Sequence, residues 1–520
     1  MQSQSFWTTE SSPSFLPLHE NIEAEVCIIG AGMVGLSCGY LLSREGKSVV
    51  ILDEGQVVGG ESGRTTAHLT NAVDDRYTYI EDLHGEENAR LVARSHFQAI
   101  ETIEEIVNRE AIDCDFERVA GYLFMPPDGD RKDLQKELEA ARRAGVVHIE
   151  EIPRAPFDFY DTGPALLFGG QGQFHPVKYL YGLVRCIQSR GGRIFTATHV
   201  NHVHDNKHVE VLTDQGFHVI ARSAIVATNV PINDRVLVHT KQAAYRTYVI
   251  AAPIPHGAVP KALFWDGPFQ GKPPAPYHYI RTAKQADGSE MLLIGGEDHK
   301  VGQKEDTLKP YLELEKWARE RFPSMGNIAF QWSGQVLEPV DGLPFIGRNP
   351  LERNVYIATG DSGMGMTHGT IAGLLMTDLI LERENPWAKL YDPSRKTVAA
   401  AGRYLRENAN AVAQYKDWLK RGDAKTIDDV TPGMAAIVQQ GLKKVAVYRD
   451  QENIVHKVSA TCPHLGGVVA WNEAEQTWDC PVHGSRFDKD GRVIHGPAIS
   501  DLTCEECGSK PKPGEPLADE

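Results

Sequence analysis

EVCIIGAGMVGLSCGYLLSREGKSVVILDE, residues 25–54, is the stretch that decides the fold. Its apolar beginning predicts a strand, and a glycine-rich turn, a helix and a second apolar strand follow. The turn, Gly30-Ala31-Gly32-Met33-Val34-Gly35, has the spacing G-x-G-x-x-G. Because a strand, a glycine turn, a helix and a second strand make up a βαβ unit, the N-terminal part of the chain is predicted to be an α/β domain.

This glycine turn has the properties of a dinucleotide-binding site. Gly30 permits the tight turn, Gly32 lets the backbone approach a pyrophosphate, and Gly35 lets the helix pack closely on the strand. The N–H groups at the start of the helix face the phosphates. Asp53 ends the second strand at an offset of about twenty residues, where it can accept hydrogen bonds from ribose hydroxyls. A glycine-rich turn that binds nothing is the alternative, and the surrounding strands and helix argue against it.

A second glycine-rich stretch, Gly360-Asp361-Ser362-Gly363-Met364-Gly365, also follows a strand and opens a helix. Its spacing differs from the dinucleotide pattern, and no second strand ending in an acid follows its helix. A reductase that passes electrons from a nicotinamide through a flavin would normally contain two complete units. The stretch is therefore interpreted as a flavin-contacting helix start, and the predicted nucleotide is FAD rather than NAD.

Composition and charge limit the other possibilities. The chain has 520 residues, more than one hydrophobic core usually serves, so two or more domains are expected. The formal net charge of −16 argues against binding to nucleic acid. The first twenty residues lack the features of a secretory signal, and no apolar stretch reaches the roughly 20 residues of a membrane-spanning helix. A cytoplasmic protein without a membrane span is expected.

Several separate stretches of residues 21–385 resemble the FAD-dependent amine and amino-acid oxidoreductases, the D-amino-acid oxidase and glycine oxidase group. Besides the two glycine-rich turns, they are Glu61-Ser62-Gly63-Arg64-Thr65-Thr66, Phe174-His175-Pro176, Ala227-Thr228-Asn229 and Asp341-Gly342-Leu343-Pro344-Phe345-Ile346-Gly347. The resemblance implies an α/β FAD-binding lobe, Rossmann-like and doubly wound, with an interleaved mixed-sheet α+β substrate lobe. It also implies hydride removal from a C–H bond next to an amine nitrogen, with the redox chemistry supplied by the flavin.

The resemblance also assigns boundaries and residues. The FAD lobe is expected at about 21–115, 171–245 and 330–385, and the substrate lobe at about 116–170 and 246–329. The residues expected to contact FAD are Gly30, Gly32, Gly35, Asp53, Glu54, Ser62, Arg64, Thr65, Thr66, Val200, Ala227, Gly360, Gly363, Gly365 and Met366.

Substrate-binding residues are also suggested by the resemblance. Family members often hold a substrate carboxylate with an arginine and a tyrosine, and a guanidinium suits that geometry. Arg281 and Tyr279, in the stretch Tyr277-His278-Tyr279-Ile280-Arg281, are the candidates for this catalytic-site role, with Arg246 and Tyr248 as weaker ones. The alternative is a surface strand with a solvated arginine. His68 is a weak candidate for covalent attachment of the flavin, since some relatives use a histidine just after this loop.

The C-terminal part contains the most specific motif of the chain. Cys462-Pro463-His464 and Cys480-Pro481-Val482-His483 form C-x-H and C-x-x-H pairs separated by fifteen residues. This pattern resembles the Rieske fold, in which two Cys thiolates and two His imidazoles hold a [2Fe–2S] cluster. A tetrahedral zinc site is the alternative, but zinc motifs usually pair Cys with Cys and His with His. A small all-β Rieske domain is therefore predicted at 430–508, after a helical linker at 386–429.

Two departures from high-potential Rieske proteins are visible. Those proteins carry an additional cysteine in each loop, joined as a disulfide, where this chain has Gly467 and Val482. Their tyrosine hydroxyl donor is replaced by Phe487, although Ser485 remains. Because fewer donors to the cluster sulfurs stabilise the reduced form less, a potential in the lower half of the Rieske range is predicted. Cys504 and Cys507 form a lone C-x-x-C, interpreted as two exposed reduced thiols.

These observations together predict a dehydrogenase. An amine or amino-acid substrate reduces FAD, FAD reduces the cluster, and the cluster passes single electrons to an unidentified acceptor, a protein or a quinone. An oxidase that reduces O₂ directly is the near alternative, and a non-enzymatic redox sensor is a more distant one. A Rieske oxygenase needs a large iron-binding domain after the Rieske module, but only 37 residues follow His483.

Overall fold

A computed structural model describes residues 3–126, 129–233, 238–267, 277–285 and 287–503. The chain forms two compact units. The first contains Met1–Lys300 and Asp306–Asn408, and the second contains Val301–Glu305 and Ala409–Glu520. The division falls inside the predicted linker 386–429, and the domain boundaries inferred from the sequence stay predictions. Cys504 and Cys507 lie outside the described residues.

The first sheet of the first unit contains the dinucleotide motif. Its described strands are β1 (Ile22–Ile29), β2 (Val49–Leu52), β7 (Arg193–Phe195), β8 (Val200–Asp205), β9 (Val209–Thr213), β10 (His218–Val226), β16 (Phe345–Arg348) and β17 (Val355–Thr359). The order β16-β17-β10-β1-β2-β7 is parallel from β17 to β7, with β9 antiparallel on β10. Strand β2 is buried along its whole length, as expected for a parallel strand covered on both faces.

The second sheet of the first unit is mixed. Its described strands are β3 (His68–Leu69), β4 (Glu117–Phe124), β5 (Ile149–Ile152), β6 (Ala165–Gln173), β11 (Gln242–Ile254), β12 (Ala262–Asp266), β13 (His278–Lys284), β14 (Glu290–Lys300) and β15 (Phe330–Pro339). The order is β15-β11-β14-β13-β12-β4-β6-β3, with β5 paired to β6. The β12–β4 pair is parallel and the pairs from β12 through β13, β14 and β11 to β15 are antiparallel.

The helices surround these sheets. They are α1 (Met33–Arg44), α2 (Tyr77–His84), α3 (Glu86–Arg109), α4 (Arg131–Arg143), α5 (Pro176–Ser189), α6 (Lys309–Arg321), α7 (Gly365–Ile380) and α8 (Ala401–Ala413). Helix α5 starts where the sequence predicts, because His175 caps its N-terminus and Pro176 occupies the first turn. Helix α7 is buried along most of its length and packs against α1 and α3. No helix among the described residues has the length and apolar character needed to cross a membrane.

The second unit contains two small antiparallel sheets. The first consists of β18 (Ala435–Gln440), β19 (Lys443–Arg449) and β20 (Val455–Ser459), and the second of β21 (Ala470–Asn472), β22 (Thr477–Asp479), β23 (Arg486–Phe487) and β24 (Val493–His495). Its core gathers Trp478 and Phe487 around Cys462 and Cys480. The predicted fold class is confirmed: an α/β lobe with an interleaved mixed-sheet lobe, followed by a small all-β region.

Candidate cofactor and substrate sites

The glycine turn after β1 has no room for a side chain at Gly30 or at Gly35. Gly30 has φ +106°, and a Cβ at this position would lie 2.4 Å from the Ala227 carbonyl oxygen. A Cβ at Gly35 would lie 1.9 Å from the Gly30 carbonyl oxygen. Helix α1 begins after Gly32, which has no side chain to cap it. The turn therefore brings backbone N–H groups to the surface where a pyrophosphate can approach.

Asp53 stabilises this turn from the end of β2. Its two carboxylate oxygens accept the N–H groups of Ala31 at 2.7 Å and Gly55 at 2.8 Å. Burial raises the pKa of Asp53, and these two backbone donors oppose that shift. The neighbouring Glu54 is more exposed and lies 2.8 Å from Nδ1 of His199, the residue before Val200. Both acids of the predicted ribose site thus lie at the same strand end.

The second predicted phosphate loop, residues 61–66, lies directly against the first. The Ser62 hydroxyl accepts the N–H of Met33, the first residue of α1, at 2.9 Å. Arg64 does not point outward for a phosphate; its guanidinium donates to the Ser333 carbonyl oxygen at 3.0 Å. The Trp332 indole donates to the Arg64 carbonyl oxygen at 2.8 Å. The backbone of this loop is therefore fixed by β15.

The turn from Gly360 to Met366 joins β17 to α7. Gly360 and Gly363 have φ values of +76° and +74°, a region that glycine favours. A Cβ at Gly363 would lie 2.8 Å from Oδ2 of Asp74. Met366 is buried in the first turn of α7. In this segment and in the turn after β1, the absence of side chains at the glycines leaves the backbone accessible at close range. Such a surface fits a dinucleotide.

The environment of Arg281 consists largely of backbone carbonyl oxygens. It is buried in β13, and its Nη1 donates to the carbonyl oxygens of Thr66, Ala67 and Phe174 at 2.9–3.1 Å. Its Nε donates to the Thr282 carbonyl oxygen. Burial lowers the pKa of Arg281 to about 9. Through these contacts the Arg281 side chain has a structural role, because it joins the 61–67 loop to the segment before α5.

Tyr279, the other substrate candidate, lies next to polar side chains. Its ring packs against Gly295, where a Cβ would lie 2.0 Å from the ring. Its hydroxyl is 2.6 Å from the Thr247 hydroxyl, which also contacts the Asp298 carboxylate. The weaker candidates Arg246 and Tyr248 flank Thr247 on β11, so they point to the opposite face of the sheet. There Tyr248 contacts His299 instead.

A group of carboxyl side chains, which sequence reasoning missed, surrounds the 360–366 turn. Burial raises the pKa of each member, to about 6 for Asp74 and about 7 for Asp298 and Asp361. The Ser362 hydroxyl lies between two further members, 2.7 Å from Asp75 and 2.9 Å from Glu338. Tyr277 approaches Asp74, and Arg403 approaches Asp75 at 3.9 Å. We call the five residues Asp74, Asp75, Asp298, Glu338 and Asp361 the carboxyl group of the first unit.

The four predicted cluster ligands come together in the second unit. Cys462 and Cys480 are buried and within hydrogen-bonding reach of each other, and the rings of His464 and His483 lie 5.0 Å apart between centroids. Among the described residues, no three His, Cys, Asp or Glu side chains converge as in a mononuclear metal site. The ligands are arranged as a thiol pair and an imidazole pair. Such pairs fit a two-iron cluster with one iron held by sulfur and the other by nitrogen.

The surroundings favour a thiolate at Cys462 alone, because the hydrogen bond with Cys462, together with burial, raises the pKa of Cys480 well above its ordinary value. The Cys480 thiol lowers the pKa of Cys462 to about 7, with further contributions from the His464 and Leu465 N–H groups and from Ser485, although burial opposes the shift. Thiolates are the form that binds iron. The Ser485 hydroxyl also accepts the Ala498 N–H at 3.0 Å, so the loop with Gly496 and Pro497 is tied to this site.

The two positions that carry additional cysteines in high-potential relatives face each other here. A Cβ at Gly467 would lie 2.6 Å from the Val482 side chain and 3.0 Å from the Cys480 sulfur. Phe487, at the position of the tyrosine donor, is fully buried in the same core. The Val482 side chain therefore occupies the space beside Gly467, at the place where high-potential relatives have a disulfide.

Known proteins resemble both units. Residues 25–379 match the FAD dependent oxidoreductase family, and residues 418–506 match the Rieske [2Fe-2S] domain. YhfW of Bacillus subtilis (strain 168), named as a Rieske 2Fe-2S iron-sulfur protein, is 31% identical over 508 residues, which cover 96% of this chain and 97% of YhfW. Gamma-glutamylputrescine oxidoreductase of Escherichia coli (strain K12) is 27% identical over 393 residues, 72% of this chain and 88% of that protein.

Solved structures share the fold of the first unit. Glycine oxidase from Geobacillus kaustophilus superimposes with a TM-score of 0.58 at 17% identity, over 72% of this chain and 99% of that one. With the family matches and the full-length relative, this establishes the identity of both domains. The chain belongs to the FAD-dependent oxidoreductase family, carries a C-terminal Rieske domain, and has FAD and a [2Fe–2S] cluster as its cofactors.

Proposed function

We propose that this chain is a dehydrogenase of cationic amines that delivers electrons through its Rieske cluster to a separate acceptor. The observation that carries the proposal is the carboxyl group beside the 360–366 turn. FAD, when bound, accepts a hydride equivalent from the carbon next to the substrate nitrogen. We assign the FAD contacts to the residues predicted from the sequence, with the backbone of Arg64 in place of its side chain.

The charge of the carboxyl group favours an amine over an amino acid. Among the described residues, the cationic groups that act on these five carboxyls are Arg76, Arg403 and His278, and a substrate ammonium would supply one more. Arg281, the expected partner of a substrate carboxylate, already donates to backbone carbonyls. Oδ1 of Asp298 is closed to solvent and accepts no hydrogen bond from the described residues. Asp298 is therefore our first choice for the residue that holds the substrate nitrogen.

The same carboxyl can take a proton. Hydride loss from carbon requires the neutral amine, whose lone pair stabilises the developing positive charge. Because burial raises the pKa of Asp298 to about 7, its carboxylate is a stronger base than an ordinary aspartate near neutral pH. The proton leaves the ammonium for Asp298, and Tyr279 and Thr247 orient that carboxylate. Resemblance to a gamma-glutamylputrescine oxidoreductase gives independent support for an amine substrate.

The experiment is an anaerobic titration of the purified holoprotein with putrescine, γ-glutamylputrescine, glycine and proline. The visible spectrum reports flavin reduction, and EPR reports the reduced cluster. We expect the cationic amines to bleach the flavin and to produce the Rieske signal. Bleaching by glycine or proline alone would overturn the assignment of an amine substrate. Reduction of both centres by dithionite but by no amine would favour a redox sensor.

Two variants test the residues. Asp298→Asn should lower kcat/KM for the amine by about 10- to 100-fold, since one hydrogen bond to a charged group contributes about 1.5–3 kcal/mol. Asp158→Asn, which changes an exposed carboxyl between β5 and β6, should leave it unchanged. Cys480→Ser should abolish the Rieske signal while the amine still bleaches the flavin. The turnover rate of Cys480→Ser with O₂ is then compared with the rate of the unaltered protein with a dye acceptor. If the two rates are equal, the protein reduces O₂ directly and the dehydrogenase assignment is wrong.

A further inference from the structure

The loops that carry the cluster ligands are held by residues outside the Rieske motif. Tyr415 and Trp418 belong to the 3-10 turn Gln414–Trp418, just after helix α8. The Tyr415 hydroxyl donates to the carbonyl oxygen of Leu465 at 2.6 Å, and the Trp418 indole donates to that of Gly466 at 2.9 Å. Both aromatic rings pack against the core that contains the two cysteines. Nothing in the C-x-H and C-x-x-H pattern points to these two residues.

The peptide groups held in this way directly follow the ones whose N–H groups face the cysteine sulfur. The N–H groups of His464 and Leu465 are directed at the Cys462 sulfur. The Leu465 residue thus donates to the sulfur through its N–H while its carbonyl is fixed by Tyr415. Trp418 fixes the next carbonyl along. The orientation of the N–H donors in the first cluster-binding loop therefore depends on the side chains of Tyr415 and Trp418. Both residues precede the motif by more than forty residues.

The second cluster-binding loop is held from another part of the chain. The segment Val301–Glu305 belongs to the second unit. Gly302 has φ +68°, and a Cβ there would lie 2.9 Å from the Asp479 carbonyl oxygen and 2.9 Å from the Pro481 nitrogen. Gln303 donates to the Pro481 carbonyl oxygen at 3.1 Å and to the Asn410 side chain at 2.9 Å.

We propose that Tyr415, Trp418 and Gln303 are positioning residues of the iron–sulfur site, which raise the cluster's potential by fixing the N–H donors of the two ligand loops. Hydrogen bonds to cluster sulfur stabilise the reduced form, which carries more negative charge. When a loop loses the hydrogen bond from Tyr415, Trp418 or Gln303, the orientation of its N–H groups toward the sulfur is less well fixed. The reduced cluster is then stabilised less, and the potential falls.

The test uses substitutions that remove only the donor. Tyr415→Phe deletes one hydroxyl, and Trp418→Phe deletes the indole N–H while keeping an aromatic ring. The matched controls are Tyr448→Phe and Trp471→Phe, whose rings stack on each other in the same core. Full-length holoprotein of each variant is titrated anaerobically with EPR detection of the reduced cluster, and its iron content is measured. Gln303→Leu is the corresponding change for the second loop.

We expect Tyr415→Phe and Trp418→Phe to shift the midpoint potential downward and to change the EPR line shape, while the controls keep both. Loss of iron from Tyr415→Phe, with full iron in Tyr448→Phe, would equally support a role in holding the loop. A midpoint and line shape identical to the unaltered protein in Tyr415→Phe and Trp418→Phe would overturn the proposal. Equal shifts of the midpoint potential in the control variants would also overturn it, because the shift would then result from any change in the core.

Discussion

The Ser362 hydroxyl oxygen lies 2.9 Å from Oε2 of Glu338. It also lies 2.7 Å from Asp75, yet a hydroxyl has one hydrogen to donate. If the hydroxyl donates to Asp75, then the proton in the second contact must come from Glu338. Burial, followed by the charge of Asp75, raises the pKa of Glu338 to about 8, which agrees with a protonated Glu338 at neutral pH. The carboxyl group of the first unit is therefore partly neutral when no substrate is bound.

Glu338→Gln should change the dependence of stability on pH. Because the folded pKa of Glu338 is raised above its unfolded value, the native state binds more protons between about pH 4.5 and 8. Stability of the unaltered protein therefore falls as pH rises through this window. A glutamine can donate to Ser362 as the protonated acid does, and it does not titrate. We expect its melting midpoint at pH 8.5 to exceed that of the unaltered protein by about 1–3 °C, with no difference at pH 5. A constant difference at both pH values would contradict this.

Arg281→Met should destabilise the protein more than it affects substrate binding. The guanidinium is buried and donates to the carbonyl oxygens of three residues in two separate segments. Removal leaves these acceptors without their donor, and we expect a loss of about 2–4 kcal/mol in the free energy of unfolding. Urea unfolding followed by flavin fluorescence measures it. A tenfold or larger rise in KM with unchanged unfolding would instead restore Arg281 to the substrate site.

Gly30→Ala should prevent retention of FAD. The position has φ +106°, and the new Cβ would lie 2.4 Å from the Ala227 carbonyl oxygen. The strained backbone costs about 1–3 kcal/mol, and the turn must also move away from β10. We expect the purified variant to contain little flavin while its Rieske EPR signal is unchanged. Gly402→Ala is the control, because a Cβ in that part of α8 meets nothing within 4 Å. Full flavin content in Gly30→Ala would contradict the role of the turn.

The sequence predicts those parts of the sites whose geometry is contained in short stretches. The glycine turn with Asp53 and the two Cys–His loops carry their ligands within a few residues, so spacing alone locates them. The partners of Arg281 could not be predicted in this way, because Thr66, Ala67 and Phe174 are brought to β13 only by the folded sheets. The carboxyl group has the same origin, since Asp74 and Asp298 are distant in the chain. The adjacent pair Asp74-Asp75 was the one local signal for it.

The unaltered cluster should have a potential in the lower half of the Rieske range, which spans roughly −150 to +300 mV. The Val482 side chain occupies the space beside Gly467 near the Cys480 sulfur, and Phe487 has no hydroxyl to donate. Fewer donors leave the reduced cluster less stabilised. An anaerobic redox titration with EPR detection measures the midpoint. A value near the top of the range would show that other donors, such as Ser485, outweigh these replacements.

Phe487→Tyr should raise the potential of this cluster. Phe487 is fully buried in the core that contains both cysteines, and a tyrosine there restores the hydroxyl of the high-potential relatives. A further O–H donor directed at the cluster stabilises the reduced form, so the midpoint moves upward. The added oxygen must fit a packed core, and therefore a melting curve and the iron content accompany the titration. Tyr448→Phe controls for a general change in the core. A fully loaded, stable Phe487→Tyr protein with an unchanged midpoint would mean that the ring at this position does not face the cluster sulfurs.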